Sequence, residues 1–148
     1  MNKRNLFFLI SVWLLSTLLS AQNVTISTPQ TQLLLSVPNG GTPEQLYYGS
    51  RTSDADIRSI CETACRRNAY PVYGMGYPCE TALSVRHADG NLTLQMAVIG
   101  VKETRLTKEN ATLTVIELKD KVYPFFVNIC YKAWQDADVI ETWTEIRH

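Results

Sequence analysis

The chain has 148 residues, with 14 acidic and 14 basic side chains and a formal net charge of zero. Charges of both signs are interspersed without a basic stripe, so the footprint that neutralises a phosphate backbone is missing and no nucleic-acid partner is expected. The length suits one ordinary domain of roughly 100–150 residues with a core of its own, and is too short for a large enzyme.

At the start, Lys3 and Arg4 precede an apolar run from Leu6 to Leu19 that closes on Ser20 and Ala21. This reads as a secretory signal peptide over residues 1–21, cleaved near Ala21-Gln22. A membrane anchor is the weaker reading, because Ser11, Ser16 and Thr17 interrupt the run and it falls short of the roughly 20 apolar residues that span a bilayer. The expectation is an exported domain over residues 22–148, periplasmic or extracellular, with no membrane partner after cleavage.

From Val24 onward most segments are short and alternate with period two, which predicts an antiparallel all-β domain. The first strands are predicted at Val24 to Thr28, Leu33 to Val37 and Leu46 to Gly49, and "PNGG" at Pro38 to Gly41 supplies turn residues that accept positive φ. Between Ser53 and Asn68, Ile57, Ile60, Cys61 and Ala64 recur at three and four, Ser53 or Asp54 suits the cap, and Arg66 and Arg67 suit the C-terminal end. That predicts one short helix or helical loop laid across the sheet. The stretch "AYPVYGMGYPCETA", residues 69–82, is dense in Pro, Gly and Tyr and predicts an irregular but ordered loop.

Strands are predicted again at Leu83 to His87, Leu92 to Val101, Thr112 to Leu118, Tyr123 to Trp134 and Val139 to Ile146, with "ADGN" at Ala88 to Asn91 as a hairpin signal between the first two. In Tyr123 to Trp134 the set Phe125, Val127, Ile129, Tyr131 and Ala133 lacks polar members and is the predicted core face. The opposite set, Phe126, Asn128, Cys130, Lys132 and Trp134, carries enough apolar bulk to suggest a second layer packed on that side.

Residues able to carry chemistry are few. Cys61, Cys65, Cys79 and Cys130 belong to a chain expected in an oxidising compartment, where a disulfide involving Cys61, Cys65 or Cys79 and free or buried thiols both remain open. Cys130 lies in a strand pattern and reads as packed. Cys79 and His87 fall into no zinc spacing, so no metal site and no cofactor is expected. Asp136 and Asp138 read as turn residues. No Ser or Cys is placed to use His87 or His148 as a general base. Asn23, Asn91 and Asn110 begin Asn-x-Ser/Thr sequons, which matter only in a host that glycosylates them. The remaining signal is aromatic: Tyr47, Tyr48, Tyr70, Tyr73 and Tyr77 concentrate around the irregular region, where rings can pack or stack on sugars.

Four stretches in order resemble the N-terminal domain of family 36 glycoside hydrolases, the α-galactosidases: "LYYG" (Leu46 to Gly49), "YPVYGMG" (Tyr70 to Gly76), "ALSVRHADGN" (Ala82 to Asn91) and "DKVYPFFVNICYKAWQDADVIETWTEI" (Asp120 to Ile146). The resemblance implies an antiparallel β-sandwich, supersandwich-like and incomplete here, with one short helix. In that family a separate (β/α)₈ barrel holds the chemistry, two carboxyl groups roughly 5 Å apart in a retaining mechanism. "AWQDAD" is not the Lys-Trp motif that carries the family's nucleophile, so no catalytic residue is expected in this chain and its substrate-binding residues are unassigned. The implied partners are the missing barrel and further copies in a homo-oligomer, with an α-galactoside engaged at most indirectly.

The family's loop that reaches a neighbouring subunit's sugar pocket would fall between Gly49 and Tyr70, where Asp54 and Asp56 lie. Relatives carry Asp-Phe-Arg after the Gly-x-Gly where this chain has Tyr77-Pro78-Cys79, which puts the cross-subunit contact in doubt. The strand pattern runs to His148, and the expectation is a fragment with an uncovered sheet edge. A stand-alone carbohydrate-binding module using the tyrosines, and a structural sandwich stapled by disulfides, are the rival expectations.

Overall fold

A computed structural model describes residues 22–148; the leader expected over residues 1–21 lies outside the described residues. Two four-stranded antiparallel sheets face each other. The first runs in the order β1 (Gln22–Ser27), β2 (Thr31–Val37), β3 (Glu44–Ser50) and β4 (Arg67–Asn68). The second is a meander of β5 (Met96–Leu106), β6 (Ala111–Asp120), β7 (Phe126–Trp134) and β8 (Val139–Arg147). The predicted all-β class and the single short helix, α1 (Asp54–Thr63), are both present.

The core lies between the sheets. Val24, Ile26, Leu33, Leu35 and Val37 meet Met96, Val98, Ile116, Leu118, Val127, Ile129 and Tyr131, all buried. Strand β7 starts at Phe126 and not at Tyr123, but the core face is the one the alternation predicts, with Val127, Ile129, Tyr131 and Ala133 buried and Phe125 buried just before the strand. Strand β2 departs from alternation because both its faces are covered, as its near-continuous apolar run implies. Its outward side is covered by the helix and its flanks: the Thr52 amide donates to Gln32 Oε1 (2.9 Å), and Arg66 Nη1 donates to Ser36 Oγ (3.1 Å) and to Glu44 Oε2 (2.9 Å).

The turn at "PNGG" joins the two sheets at a corner. Gly40, at φ +74°, donates its N–H to the Val98 carbonyl (2.9 Å), and the Val98 N–H returns to the Gly41 carbonyl (2.8 Å). The helix ends earlier than predicted. Ser53 and Asp56 form a reciprocal capping box at its start, but the chain is extended from Ala64, and Arg67 and Asn68 pair with β3 as β4.

Two predicted strands need correction. Leu83 to His87 is not a strand; its one ladder contact is an isolated parallel bridge between Leu83 and Val72. Leu92 to Val101 starts only at Met96 and continues to Leu106. The "ADGN" turn does form, with Gly90 at φ +88° and its N–H donating to the His87 carbonyl (2.9 Å). The His87 N–H also bonds across the turn to the Asn91 carbonyl (2.9 Å), but no strand ladder follows, because further on the Leu94 N–H goes to the Tyr73 carbonyl and the Gln95 N–H to the Asp120 carboxylate.

Nor is there a second protein layer over the outer face of β7 among the described residues. Long side chains of the sheet itself cover it: Lys132 Nζ stands 3.9 Å from the Trp134 ring centroid and the Arg147 guanidinium 4.2 Å from that of Phe126. Cys130, at the centre of that face opposite Trp143, is only 1% exposed.

Candidate functional site

The segment between β4 and β5, residues 69–95, builds the surface most able to hold a ligand or partner. Its ends are anchored, since Tyr70, Val72 and Leu94 sit in the core. Between them the backbone is pinned by main-chain bonds: Tyr73 N–H to Leu83 (3.0 Å), Ala82 N–H to Pro71 (2.8 Å) and Leu94 N–H to Tyr73 (3.0 Å). Gly74 is required here, at φ +94°, because a Cβ would lie 2.6 Å from Thr93 Cγ2 and 2.8 Å from its Cα.

This fixed backbone holds apolar side chains in water. Tyr73 (49% exposed), Met75 (43%), Tyr77 (41%) and Leu92 (46%) project from it. Tyr73 and Leu92, with Ser84, Val85 and Arg86, enclose a mainly apolar hollow of about 390 Å³. A second hollow of about 350 Å³ adjoins it along the chain, lined by His87, Ala88, Asp89, Tyr123, Pro124, Phe125 and His148. There the His87 ring stacks on Tyr123 with centroids 3.6 Å apart. The Tyr123 hydroxyl donates to Asp89 Oδ2 (2.6 Å) and accepts from Asn91 Nδ2 (3.0 Å). That bond to Asp89 raises the phenol's pKa above its usual value, and the hydroxyl in turn holds the Asp89 carboxyl below the ordinary range.

At the end of β6 lies Asp120, 1% exposed, which sequence reasoning did not single out. Its carboxylate accepts from the amides of Gln95 (2.6 Å), Val122 (2.8 Å) and Tyr123 (2.9 Å). Burial works to raise its pKa, but these three donors outweigh it and the net direction is downward. The one sequence signal was an Asp closing a strand before a turn, a position that favours side-chain to backbone bonding.

The arrangement offers apolar surface for binding. The first hollow has no carboxylate in its wall, and the single one in the second already accepts from Tyr123. Among the described residues no three His, Cys, Asp or Glu side chains group to hold a metal ion, and Cys79 does not line the hollow of His87.

The five tyrosines do not form one cluster. Tyr70 is core, Tyr73 and Tyr77 belong to the loop, and Tyr47 and Tyr48 line a separate groove of about 360 Å³ against α1 with Ile60 and Cys65. Asp54 and Asp56 fall in the first turn of α1, where Asp56 Oδ2 accepts from the Ser53 hydroxyl (2.7 Å). Asp136 and Asp138 lie in the β7–β8 turn. All four cysteines are free, with Cys65 and Cys79 exposed. Of the three sequon asparagines, Asn91 is engaged with Tyr123, Asn110 adopts φ +45° after a 3-10 turn (Thr107–Glu109), and Asn23 is exposed on β1.

A family model described as the glycosyl hydrolase family 36 N-terminal domain matches residues 41–148. The chain belongs to that family. The match takes in the whole loop surface and the second sheet. Among curated proteins there is no match.

Solved α-galactosidases share the fold at low identity. The alpha-galactosidase from Lactobacillus brevis aligns at TM-score 0.72 and 14% identity over 85% of this chain and 21% of its own. The GH36 alpha-galactosidase AgaA from Geobacillus stearothermophilus aligns at TM-score 0.70 and 15% identity, over 86% and 22%. The galactosidase domain of the alpha-galactosidase-sucrose kinase AgaSK aligns at TM-score 0.67 and 19% identity, over 82% and 21%. This family 36 chain thus spans about a fifth of the length of the structures it matches.

Proposed function

We propose that this chain forms the N-terminal β-sandwich portion of an exported α-galactosidase and acts as a scaffold for a catalytic barrel, taking no direct part in bond cleavage. The observation that carries the reading is the family 36 N-terminal match over residues 41–148, joined to neighbours in which about four-fifths of the polypeptide lies outside the aligned part. The two hollows at the loop surface, neither holding a free pair of carboxylates, fit a supporting role.

The test follows the chain in its native host. Tagged chain is separated on a native gel and the gel is stained with an aryl α-galactoside. Activity should travel with the tag, whereas the purified 148-residue chain alone should release no product. Tag and activity migrating apart, or turnover by the chain alone, would refute the reading.

The exposed Tyr73 and Tyr77 favour one rival, a stand-alone carbohydrate-binding module. It predicts saturable binding of galactosides by the isolated chain, lost in Tyr73→Ala and Tyr77→Ala.

A further inference from the structure

The loop surface and the outer sheet face treat their aromatic rings in opposite ways. On the outer face the chain's own cations lie over the rings, Lys132 over Trp134 and Arg147 over Phe126. At the loop, Tyr73 and Leu92 line the apolar hollow at 49% and 46% exposed, and Met75 and Tyr77 project from the same loop at 43% and 41%. Arg86, in the wall of that hollow, makes no ion pair among the described residues. Holding these side chains in water costs free energy, and the backbone does not let them fold inward, because the bonds through Tyr73, Leu83 and Leu94 and the left-handed Gly74 fix it. Rigid exposed apolar surface of this kind marks a contact that forms with something else.

The geometry points to this loop surface, the hollow walled by Tyr73, Leu92 and Arg86 together with the exposed Met75 and Tyr77 of the same loop, as the seat on which the catalytic portion of the α-galactosidase docks. The inference rests on the function proposed above and adds which face makes the contact. The partner face it fits is apolar at the centre and presents an acidic group to Arg86. His148 lines the adjoining hollow, so polypeptide attached beyond it would start at this end of the sandwich.

Two of the chain's three methionines provide a direct readout. Met75 is 43% exposed and Met96 is 2% exposed, and thioether oxidation by peroxide follows exposure. In the purified chain Met75 should oxidise rapidly and Met96 slowly. In the α-galactosidase-active species isolated from the native host, docking should slow Met75 oxidation about tenfold or more while Met96 stays as slow as before. Met75 oxidising at the same rate in both would overturn the docking face and leave the domain assignment standing. Absence of any α-galactosidase activity travelling with the chain would overturn both.

Variants supply the second arm. Leu92→Ser and Arg86→Glu alter exposed side chains, so the purified chain should keep its melting temperature. The same changes in the native species should shorten the thermal half-life of its activity about fivefold or more. Ile146→Ser, at a comparably exposed position (50%) on β8, should leave that half-life unchanged. Equal half-lives for Leu92→Ser, Arg86→Glu and the parent would also reject this face.

Discussion

The carboxylate of Asp138, in the turn between β7 and β8, lies 3.1 Å from the amide nitrogen of Thr31, the first residue of β2 in the other sheet. The same carboxylate accepts from the Gln30 amide (3.1 Å), the Thr31 hydroxyl (3.3 Å) and the Thr28 hydroxyl. Gln135 adds a bond from its side-chain nitrogen to the Ser27 carbonyl (2.9 Å). One edge of the sandwich is therefore closed by polar contacts between two turns.

Asp138→Ala should loosen that edge twice over, by removing the acceptor and by placing alanine at φ +52°, where Asp and Asn are better tolerated. A fall in melting temperature on the order of 5 °C is expected, with Asp138→Asn falling less. The bond from Thr28 holds the Asp138 carboxyl below its ordinary value of 3.8, so its contribution is complete above that value and is lost as pH drops below it. Stability of the parent should decline below about pH 4 more steeply than that of Asp138→Asn. Parallel declines in melting curves at pH 5, 4 and 3 would show that Asp138 contributes nothing to the acid limb.

Much of this architecture was legible in the chain. The period-two face of β7 predicted its burial correctly, because alternation reports what lies immediately above and below the strand. "LSVRHADGNLTLQ" misled for the opposite reason. Its alternation is real, but Leu94 and Gln95 bond to Tyr73 and Asp120, which are distant in sequence, and no local pattern reveals that choice. The candidate surface was half legible. The tyrosine-rich loop stood out by composition, whereas Leu92 and Arg86 join it only through the tertiary path of the segment.

Asp120 makes a sharper case for a single residue holding the loop surface together. Asp120→Ala would leave the amides of Gln95, Val122 and Tyr123 without their acceptor at a site 1% exposed. A loss on the order of 2–3 kcal/mol is expected in denaturant unfolding, larger than for Asp120→Asn, which keeps one acceptor oxygen. Protease should also cut first within residues 88–95 or 121–125 in the alanine variant, since both runs lose their tie. Unchanged stability would mean that water replaces the carboxylate without cost.

The glycine pair in "GMG" separates strain from crowding. Both residues have positive φ, but a Cβ on Gly76 meets nothing within 4 Å while one on Gly74 strikes the Thr93 backbone. Gly76→Ala should cost roughly 1 kcal/mol from conformation alone, and Gly74→Ala roughly 2–3 kcal/mol. Chemical denaturation of the two variants measures the difference; equal losses would show that Thr93 moves aside freely.

Thiol reactivity should sort the four cysteines by environment. Cys65 and Cys79 are exposed and Cys61 is half-buried, with its Sγ accepting from Asn23 Nδ2 at 3.2 Å. Burial, helped by nearby Glu145, pushes the Cys130 thiol up to about 11. At pH 8 a thiol reagent should modify Cys65 and Cys79 quickly, Cys61 more slowly and Cys130 only after denaturation. Rapid labelling of Cys130 in the native chain would show that the outer face of β7 opens readily.

The alkaline limit of stability should be set by the same strand. Burial pushes the Tyr131 phenol up to about 12 from an ordinary 10.0, and Cys130 rises to about 11 from 9.0. A group whose folded pKa is raised stabilises fully below its unfolded value and loses that contribution as pH climbs through the folded one, because the unfolded chain releases the proton first. Stability should therefore hold to about pH 9 and fall progressively between 9 and 12. In Tyr131→Phe with Cys130→Ala neither group titrates, so the variant starts lower at pH 7, by on the order of 1–2 kcal/mol for the lost packing, but its stability should fall less steeply above pH 9. Denaturant midpoints at pH 8, 10 and 11 compare the two slopes directly. Equal slopes would place the alkaline loss in other side chains and not in the two buried on β7.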